Sequence, residues 1–202
     1  GKKEMLLAGE NRYTAQQSNF SKIPGSPVAY WVSGSFIQAF VNGVSLNSIA
    51  PTRKGMFTGD NDKWLKFWHE IDYRDLFFKQ KPYNKGGEFR RWYGNHEYVI
   101  NWNNNGQSVI NFKGSGNINT TLYFRPCITW SLVTTYKPSF RGIFDNDHVM
   151  GDAGPIAAAK ENDILYLLGL LNTKFVAEVA ALIAPTINFS NGVAGDIPVL
   201  FD

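Results

Sequence analysis

ENDILYLLGLLNTKFVAEVAALIAP, residues 161–185, decides the fold class. Leu165, Leu168, Leu171, Phe175, Val179 and Leu182 recur at spacings of three and four, the period of a helix with one apolar face. Asn162 or Asp163 can cap it and Pro185 stops it, so the pattern predicts one helix over 161–183. A second helical pattern lies near the other end. Ser33 or Ser35 caps a run through Phe36, Ile37 and Phe40, and Asn42-Gly43 predicts a left-handed C-cap. Gly59-Asp60-Asn61-Asp62 offers a third start, for a short helix through Trp64, Leu65, Phe67 and Trp68. Between these, residues 76–150 are aromatic and β-rich. Strands are expected at 28–32, 91–93, 98–102, 121–124, 127–131 and 142–144, with turns at 24–27 and 103–106. Helix, mixed strands, then helix reads as α+β, a twisted mixed sheet with packed helices.

The chain has 202 residues, 44% hydrophobic, 15% aromatic and 18% charged, which excludes wholesale disorder. One domain is expected over 23–202, preceded by a polar arm at 1–22 that holds Asn11, Thr14, Gln16, Gln17, Ser18 and Asn19. The single Cys127 excludes an internal disulfide and any multi-cysteine zinc site. No apolar run is long enough to span a bilayer. The first residue is Gly1 rather than Met, so an excised piece of a larger protein is expected. Net charge is +3, unevenly spread: residues 1–91 hold 14 Lys and Arg against 8 Asp and Glu, and residues 92–202 hold 6 against 9. A basic first half suits an anionic partner, and an ordinary solvated surface with mild asymmetry is the plainer alternative.

Most catalytic patterns fail. There is no phosphate loop of the G-x-x-x-x-G-K-[ST] type and no G-x-S-x-G elbow. Gly114-Ser115-Gly116 lacks the third glycine of a dinucleotide turn and reads as a hairpin turn. His69, His96 and His148 have no helical metal spacing, so no metal site is expected. Asp60-Asn61-Asp62 and Asp145-Asn146-Asp147 lack the rest of a calcium loop and read as a helix cap and a turn. Cys127 reads as a buried structural thiol. No Pro-Pro pair exists, which excludes the Asn-Pro-Pro-Tyr loop of an amino-methyltransferase and leaves no catalytic residue to assign.

Two features remain. PTRKGMFTGDN (51–61) is a glycine-bracketed loop carrying Arg53 and Lys54, with Thr58 beside them, ending at a predicted helix N-terminus that favours anions. KQKPYNKGGEFRRWY (79–93) interleaves five cations and one acid with aromatics, asparagine and glycine. Cations contact phosphates, amides read base edges and aromatics stack or wedge, so this stretch points to nucleic acid; the alternative is a flexible loop of solvated charges.

Longer phrases carry a family resemblance. IPGSPVAYWVS (23–33), GMFTGDNDKWLKFWHE (55–70), PYNKGGEFRRWYGNHEYVINW (82–102), ITWS (128–131), LYLLGLLNTK (165–174) and PTINF (185–189) occur in that order. They resemble the region after the catalytic core in large bacterial adenine-specific DNA methyltransferases, including those of BREX phage-defence systems and fused type II restriction–modification enzymes. The resemblance implies a target recognition domain, similar in architecture to those of type I restriction specificity subunits. It implies a non-catalytic segment that selects sequence on double-stranded DNA in the bacterial cytoplasm while the adenine is flipped out. S-adenosylmethionine would be held by a separate N-terminal methyltransferase domain, the expected partner within the parent chain. By that carry-over Lys85, Arg90 and Arg91 clamp phosphates, Arg53 and Lys54 lie near the DNA, and Thr58 and Asn84 supply polar contacts. Sequence-specific contacts are expected from 103–125, where the phrases break off. There Asn103, Asn104, Asn105, Gln107, Asn111, Lys113, Asn117 and Asn119 offer amides and a cation. A polar hairpin loop is the alternative for that stretch. Rival functions are a protein–protein module of a phage-defence complex and a small metal-dependent nuclease using Asp60, Asp62 or Asp145.

Overall fold

The computed structural model describes residues 1–10, 14–116, 118–135 and 137–201. Asn11 and Asn117, both named above, lie outside the described residues. The first half holds helices α1 (Lys2–Leu7) and α2 (Gly34–Asn42), strand β1 (Val44–Ser45), helix α3 (Leu46–Ile49), strand β2 (Thr52–Arg53), helix α4 (Asn61–Trp64) and strands β3 (Leu65–Phe67), β4 (Gln80–Asn84) and β5 (Tyr98–Asn101). Then come helix α5 (Gln107–Ile110), strands β6 (Cys127–Thr129), β7 (Arg141–Ile143), β8 (Val149–Met150) and β9 (Ile156–Ala157), helices α6 (Glu161–Leu171), α7 (Lys174–Ile183) and α8 (Asn191–Gly195), and strand β10 (Pro198–Val199).

The class is α+β, and among the described residues the strands form three sheets rather than one. Strands β2-β9-β6-β7 make an antiparallel sheet, β3-β5-β4-β8 a mixed one whose β4–β8 pair is parallel, and β1 pairs with β10. Side chains alternate across a strand, and β6 shows what that does here. Cys127 packs with Met56, Ile100 and Val149, while Ile128 packs with Leu167, Val176 and Phe189. The central sheet is therefore covered on one face by α6–α8 and on the other by the mixed sheet. The strand is buried on both faces from Cys127 to Trp130, apolar except for Thr129, whose hydroxyl is hydrogen-bonded to Asn84 and the Pro155 carbonyl. A smaller cluster of Ile23, Ala29 and Ile37 seats the turn before α2 on Leu182 and Ile183.

The helix expected over 161–183 is two helices, meeting at 76°. The break is chemical. Thr173 Oγ1 accepts from Val176 N–H and caps α7 (3.2 Å). The buried Asn172 amide accepts from Phe140 N–H (3.2 Å) and donates to the carbonyls of Phe140 (2.9 Å) and Leu168 (3.0 Å). Asn162 and Asp163 lie inside the first turn instead of capping it. Lys160 is the N-cap and makes no side-chain cap bond. Ser33 caps α2 as expected, but Gly43 is extended (φ −77°), not left-handed. Glycine is needed there for closeness: a Cβ would lie 2.5 Å from the Ala39 carbonyl oxygen and 2.9 Å from Pro198 Cβ.

Three expected strands do not form. Residues 28–32 make a turn, with Ala29 buried and Val28, Tyr30 and Trp31 exposed, because local bonds such as Ala29 N–H to Pro27 O (2.8 Å) replace a ladder. Trp92 makes one bridge to Arg141 rather than a strand at 91–93, and 121–124 falls in a 3₁₀ turn, Thr120–Leu122, and the residues after it. The helix expected from Asp60 through Trp68 lasts one turn. Leu65–Phe67 then extends to pair with Tyr98–Ile100, which gives Leu65 a core position opposite Ile100. The 103–116 stretch is not a hairpin: it is a left-handed turn, α5, and a loop whose Gly116 bridges Phe57. In the arm, α1 buries none of its residues. Among the described residues no single helix is long and apolar enough to cross a membrane.

Candidate nucleic-acid interface

The two conspicuous loops leave different sheets, the first from β2 of the central sheet and the second from β4 of the mixed one. The first starts at β2, where Asn47 Oδ1 accepts from Thr52 N–H (3.0 Å), Thr52 Oγ1 (3.1 Å) and the exposed Arg53 guanidinium (3.1 Å). Gly55 then passes so close to β8 that a Cβ would lie 1.7 Å from the Met150 carbonyl oxygen. Met56 N–H donates to that oxygen (2.8 Å), and Phe57 and Gly116 exchange backbone bonds (3.1 and 2.9 Å). Asn119 Nδ2 donates to the Lys54 carbonyl (2.8 Å). The fold thus joins Lys54 to the polar 103–119 stretch, two regions that sequence alone treats separately.

Thr58 is buried. Its hydroxyl donates to Asn61 Oδ1 (2.7 Å) and accepts from Asp60 N–H (3.2 Å), which braces the loop from inside. The helix N-terminus expected to attract an anion is filled by the chain's own Asp60 carboxylate, which accepts from Lys63 N–H (3.0 Å). A second negative group there would be repelled, so α4 is not an anion site. Lys63 instead lies over the rings of Trp64 (5.0 Å) and Phe112 (4.4 Å).

The second loop leaves β4. Asn84 is buried and donates to Thr129 Oγ1 and the Gly154 carbonyl, both at 2.8 Å, so it ties the mixed sheet to the central one. Lys85 lies over the Tyr98 ring (4.2 Å) and lines a cleft that also takes in Asn61, Asp62, Lys66 and Glu70. From Gly86 onward the backbone is anchored from below. Ser131 Oγ donates to Gly87 O (2.6 Å), Asn95 Nδ2 to Glu88 O (2.9 Å), and Trp92 exchanges backbone bonds with Phe140 and Gly142 (both 2.9 Å). Arg141 is fully buried beneath the loop. It reaches Arg90 O (3.4 Å), Ser139 O (3.5 Å) and Ser131 Oγ (3.4 Å), and its Nε has no hydrogen-bond partner among the described residues. Burial lowers its pKa to about 10 against the opposing pull of Glu97, so it stays charged at neutral pH.

Above this anchored backbone the side chains of Phe89, Arg90, Arg91, Trp92 and Tyr93 are exposed. Arg90 pairs loosely with Glu97 (3.4 Å), and Arg91 lies over Phe89 (5.6 Å). Exposed ion pairs of this kind hold their partners weakly, which leaves Arg90 able to exchange Glu97 for a stronger anion. In the third region Asn104 and Asn105 are left-handed (φ 51° and 55°), which turns their amides outward. Gln107 accepts from Asn111 (3.2 Å), and Lys113 is exposed.

Sequence reasoning missed a third group. His96 Nδ1 and His148 Nε2 lie 3.0 Å apart, and His148 Nδ1 lies 2.7 Å from Asp145 Oδ1. Fifty-two positions separate the two histidines, so no spacing could pair them. Burial and His148 both lower the His96 pKa. Burial disfavours the charged Asp145 carboxylate, but bonds from His148 and Asp147 outweigh this and hold its pKa low. Among the described residues no cluster of three His, Cys, Asp or Glu could hold a metal ion. Cys127 is buried, and burial pushes its thiol pKa up.

No protein-family model matches the chain. It is similar to the adenine-specific methyltransferase PglX of Lacticaseibacillus casei (strain Zhang), 34% identical over 212 residues, covering 93% of the chain and 17% of that protein. It is also similar to the adenine-specific methyltransferase BrxX of Escherichia coli O9:H4 (strain HS), 35% identical over 211 residues, covering 98% of the chain and 17% of that protein. The chain thus spans about one sixth of the length of these curated relatives.

Proposed function

We propose that this chain is a sequence-recognition segment for double-stranded DNA within an adenine-specific DNA methyltransferase of phage defence. The observation that carries this reading is the loop over 86–93: a backbone fixed at Gly87, Arg90 and Trp92 that presents two arginines and three aromatic rings to solvent. Pre-ordering a basic loop lowers the entropy cost of gripping a phosphate backbone. The similarity to PglX and BrxX, both adenine-specific methyltransferases, supports the same assignment. On this reading residues 23–202 form the recognition domain, related in architecture to those of type I specificity subunits, and 1–22 is its arm. The segment chooses the site and does no chemistry. A methyltransferase domain elsewhere in the parent chain binds S-adenosylmethionine, and the setting is the bacterial cytoplasm.

Roles divide by position. Lys85, Arg90 and Arg91 contact phosphates, assisted by Arg53 and Lys54. Asn105, Gln107 and Lys113 face base edges. Thr58 and Asn84 act from beneath, keeping the two loops in register. Fluorescence anisotropy with a random-sequence duplex at two salt concentrations tests the clamp. Each lost phosphate contact reduces the slope of log K on log salt by about 0.9, so Arg90→Ala with Arg91→Ala lowers the slope by about 2 and weakens all sequences alike. An unchanged slope and affinity in the double variant would contradict the clamp.

A protein–protein reading has one observation in its favour: Tyr73 and Phe78 are each 80% exposed on the turn between β3 and β4. It predicts a complex that survives high salt.

A further inference from the structure

An open cavity of about 320 Å³ lies where the turn between β3 and β4 meets the end of the 86–93 loop. Trp68, Phe77 and Tyr93 line it, and their rings are not packed away: Trp68 is 56% exposed, Phe77 46% and Tyr93 66%. Phe77 is left-handed (φ 69°), and Trp92, just before Tyr93, is too (φ 76°). Bulky residues adopt this conformation only when surrounding structure enforces it, so the fold fixes the backbone that carries two of the rings.

Asp145 also lines the cavity, and half of its side chain is exposed to solvent. Its Oδ1 accepts from Asp147 N–H (3.0 Å) and lies 2.7 Å from His148 Nδ1. Its Oδ2 has no hydrogen-bond partner among the described residues. Neighbouring acids are matched by cations of the chain itself: Asp147 by Lys81 (2.9 Å), Asp75 by Lys79 (2.8 Å) and Glu97 by Arg90 (3.4 Å). Among the described residues no lysine or arginine pairs with Asp145, which leaves an accessible carboxylate beside three exposed aromatic rings. Ring faces and a carboxylate both attract positive charge, so this is a site for a cation.

We propose that this cavity receives the guanidinium of an arginine presented by a partner protein, stacked on the aromatic walls and hydrogen-bonded to the Asp145 carboxylate. A guanidinium suits the site better than an ammonium. Its flat face stacks on a ring while its edge N–H groups reach an oxygen, and it is more weakly hydrated in water. The surroundings point to a protein as its source. Tyr73 and Phe78, each 80% exposed, stand on the same turn as Phe77, so the cavity sits within a wider aromatic surface. Aromatic residues gathered about an arginine are the usual make-up of a protein–protein contact. The inference goes beyond the DNA-recognition reading and stands without it.

Saturation-transfer titrations of the full chain with N-acetyl-arginine amide, N-acetyl-lysine amide and N-acetyl-citrulline amide test it. Citrulline keeps the shape of arginine and lacks its charge. The arginine probe is expected to bind about five- to tenfold more tightly than the citrulline probe, the difference between a charge-assisted and a neutral hydrogen bond. Asp145→Asn retains an acceptor for His148 and Asp147 but removes the charge, and should weaken the arginine probe by about the same factor. Trp68→Ala, a change at an exposed ring, should weaken it about two- to fivefold. Equal binding of the arginine and citrulline probes, or arginine binding unchanged in both variants, overturns the cation site. Lysine-probe binding as tight as that of arginine overturns the choice of a guanidinium.

Discussion

His96 gives the molecule a pH dependence of definite sign. Its folded pKa lies below that of a free imidazole, about 6.5, because burial and the neighbouring His148 disfavour its charged form. As pH falls through that value, the unfolded chain takes up a proton that the folded chain refuses, so stability drops until the folded pKa is reached. Asp145 acts in a separate, lower window: its depressed pKa adds stability that is lost only as pH falls through the carboxylate range. Comparing urea midpoints at pH 7.5 and 5.5 between wild type and His96→Phe therefore singles out this imidazole. Wild type loses more stability between them than His96→Phe does; equal losses would contradict the burial argument. Residue type gave little warning of this group, and it misled elsewhere. Thr58 and Asn84 look like surface polar groups in sequence. Both are buried because each pins one segment to another, Thr58 to Asn61 and Asn84 to Thr129 and Gly154. Arg90 and Arg91 keep their side chains in solvent, whereas Arg141, equally basic in sequence, is fully buried.

At the scale of elements, helical period was visible and helical breaks were not. Leu165, Leu168 and Leu171 continue into Phe175 and Val179 without losing phase, so the pattern hides the 76° turn at Asn172. The clue was present as Asn-Thr, a cap-forming pair, but a partner thirty-two positions away, Phe140, decides the geometry. Asn172→Leu leaves the Phe140 N–H and carbonyl without their side-chain partner inside the protein, and each such loss costs about 1–3 kcal/mol. A urea midpoint shifted to match, with helical circular dichroism retained, is the expected result; unchanged stability would show that the joint is held by packing alone. The extended Leu65–Phe67 segment escaped for a similar reason. Its sequence suits a helix face, and pairing with Tyr98–Ile100 overrides that preference.

At the scale of the molecule, α+β order was legible from Trp130 and its neighbours on one side and the apolar helices on the other. The division into three sheets was not, because which strands pair depends on contacts such as Tyr83 with Val149, sixty-six positions apart. Contacts across the layers link the 51–61 loop to Gly116 and Asn119 and, through Met56 and Tyr83, to the 79–93 segment, and the DNA-recognition proposal depends on the three regions acting together. Selection from a random duplex pool by the 202-residue chain, followed by sequencing of the bound fraction, tests this most directly. The account predicts salt-sensitive capture with an enriched motif that shifts when Asn105, Gln107 and Lys113 are replaced together by alanine. A folded chain that captures no duplex at low salt would contradict it.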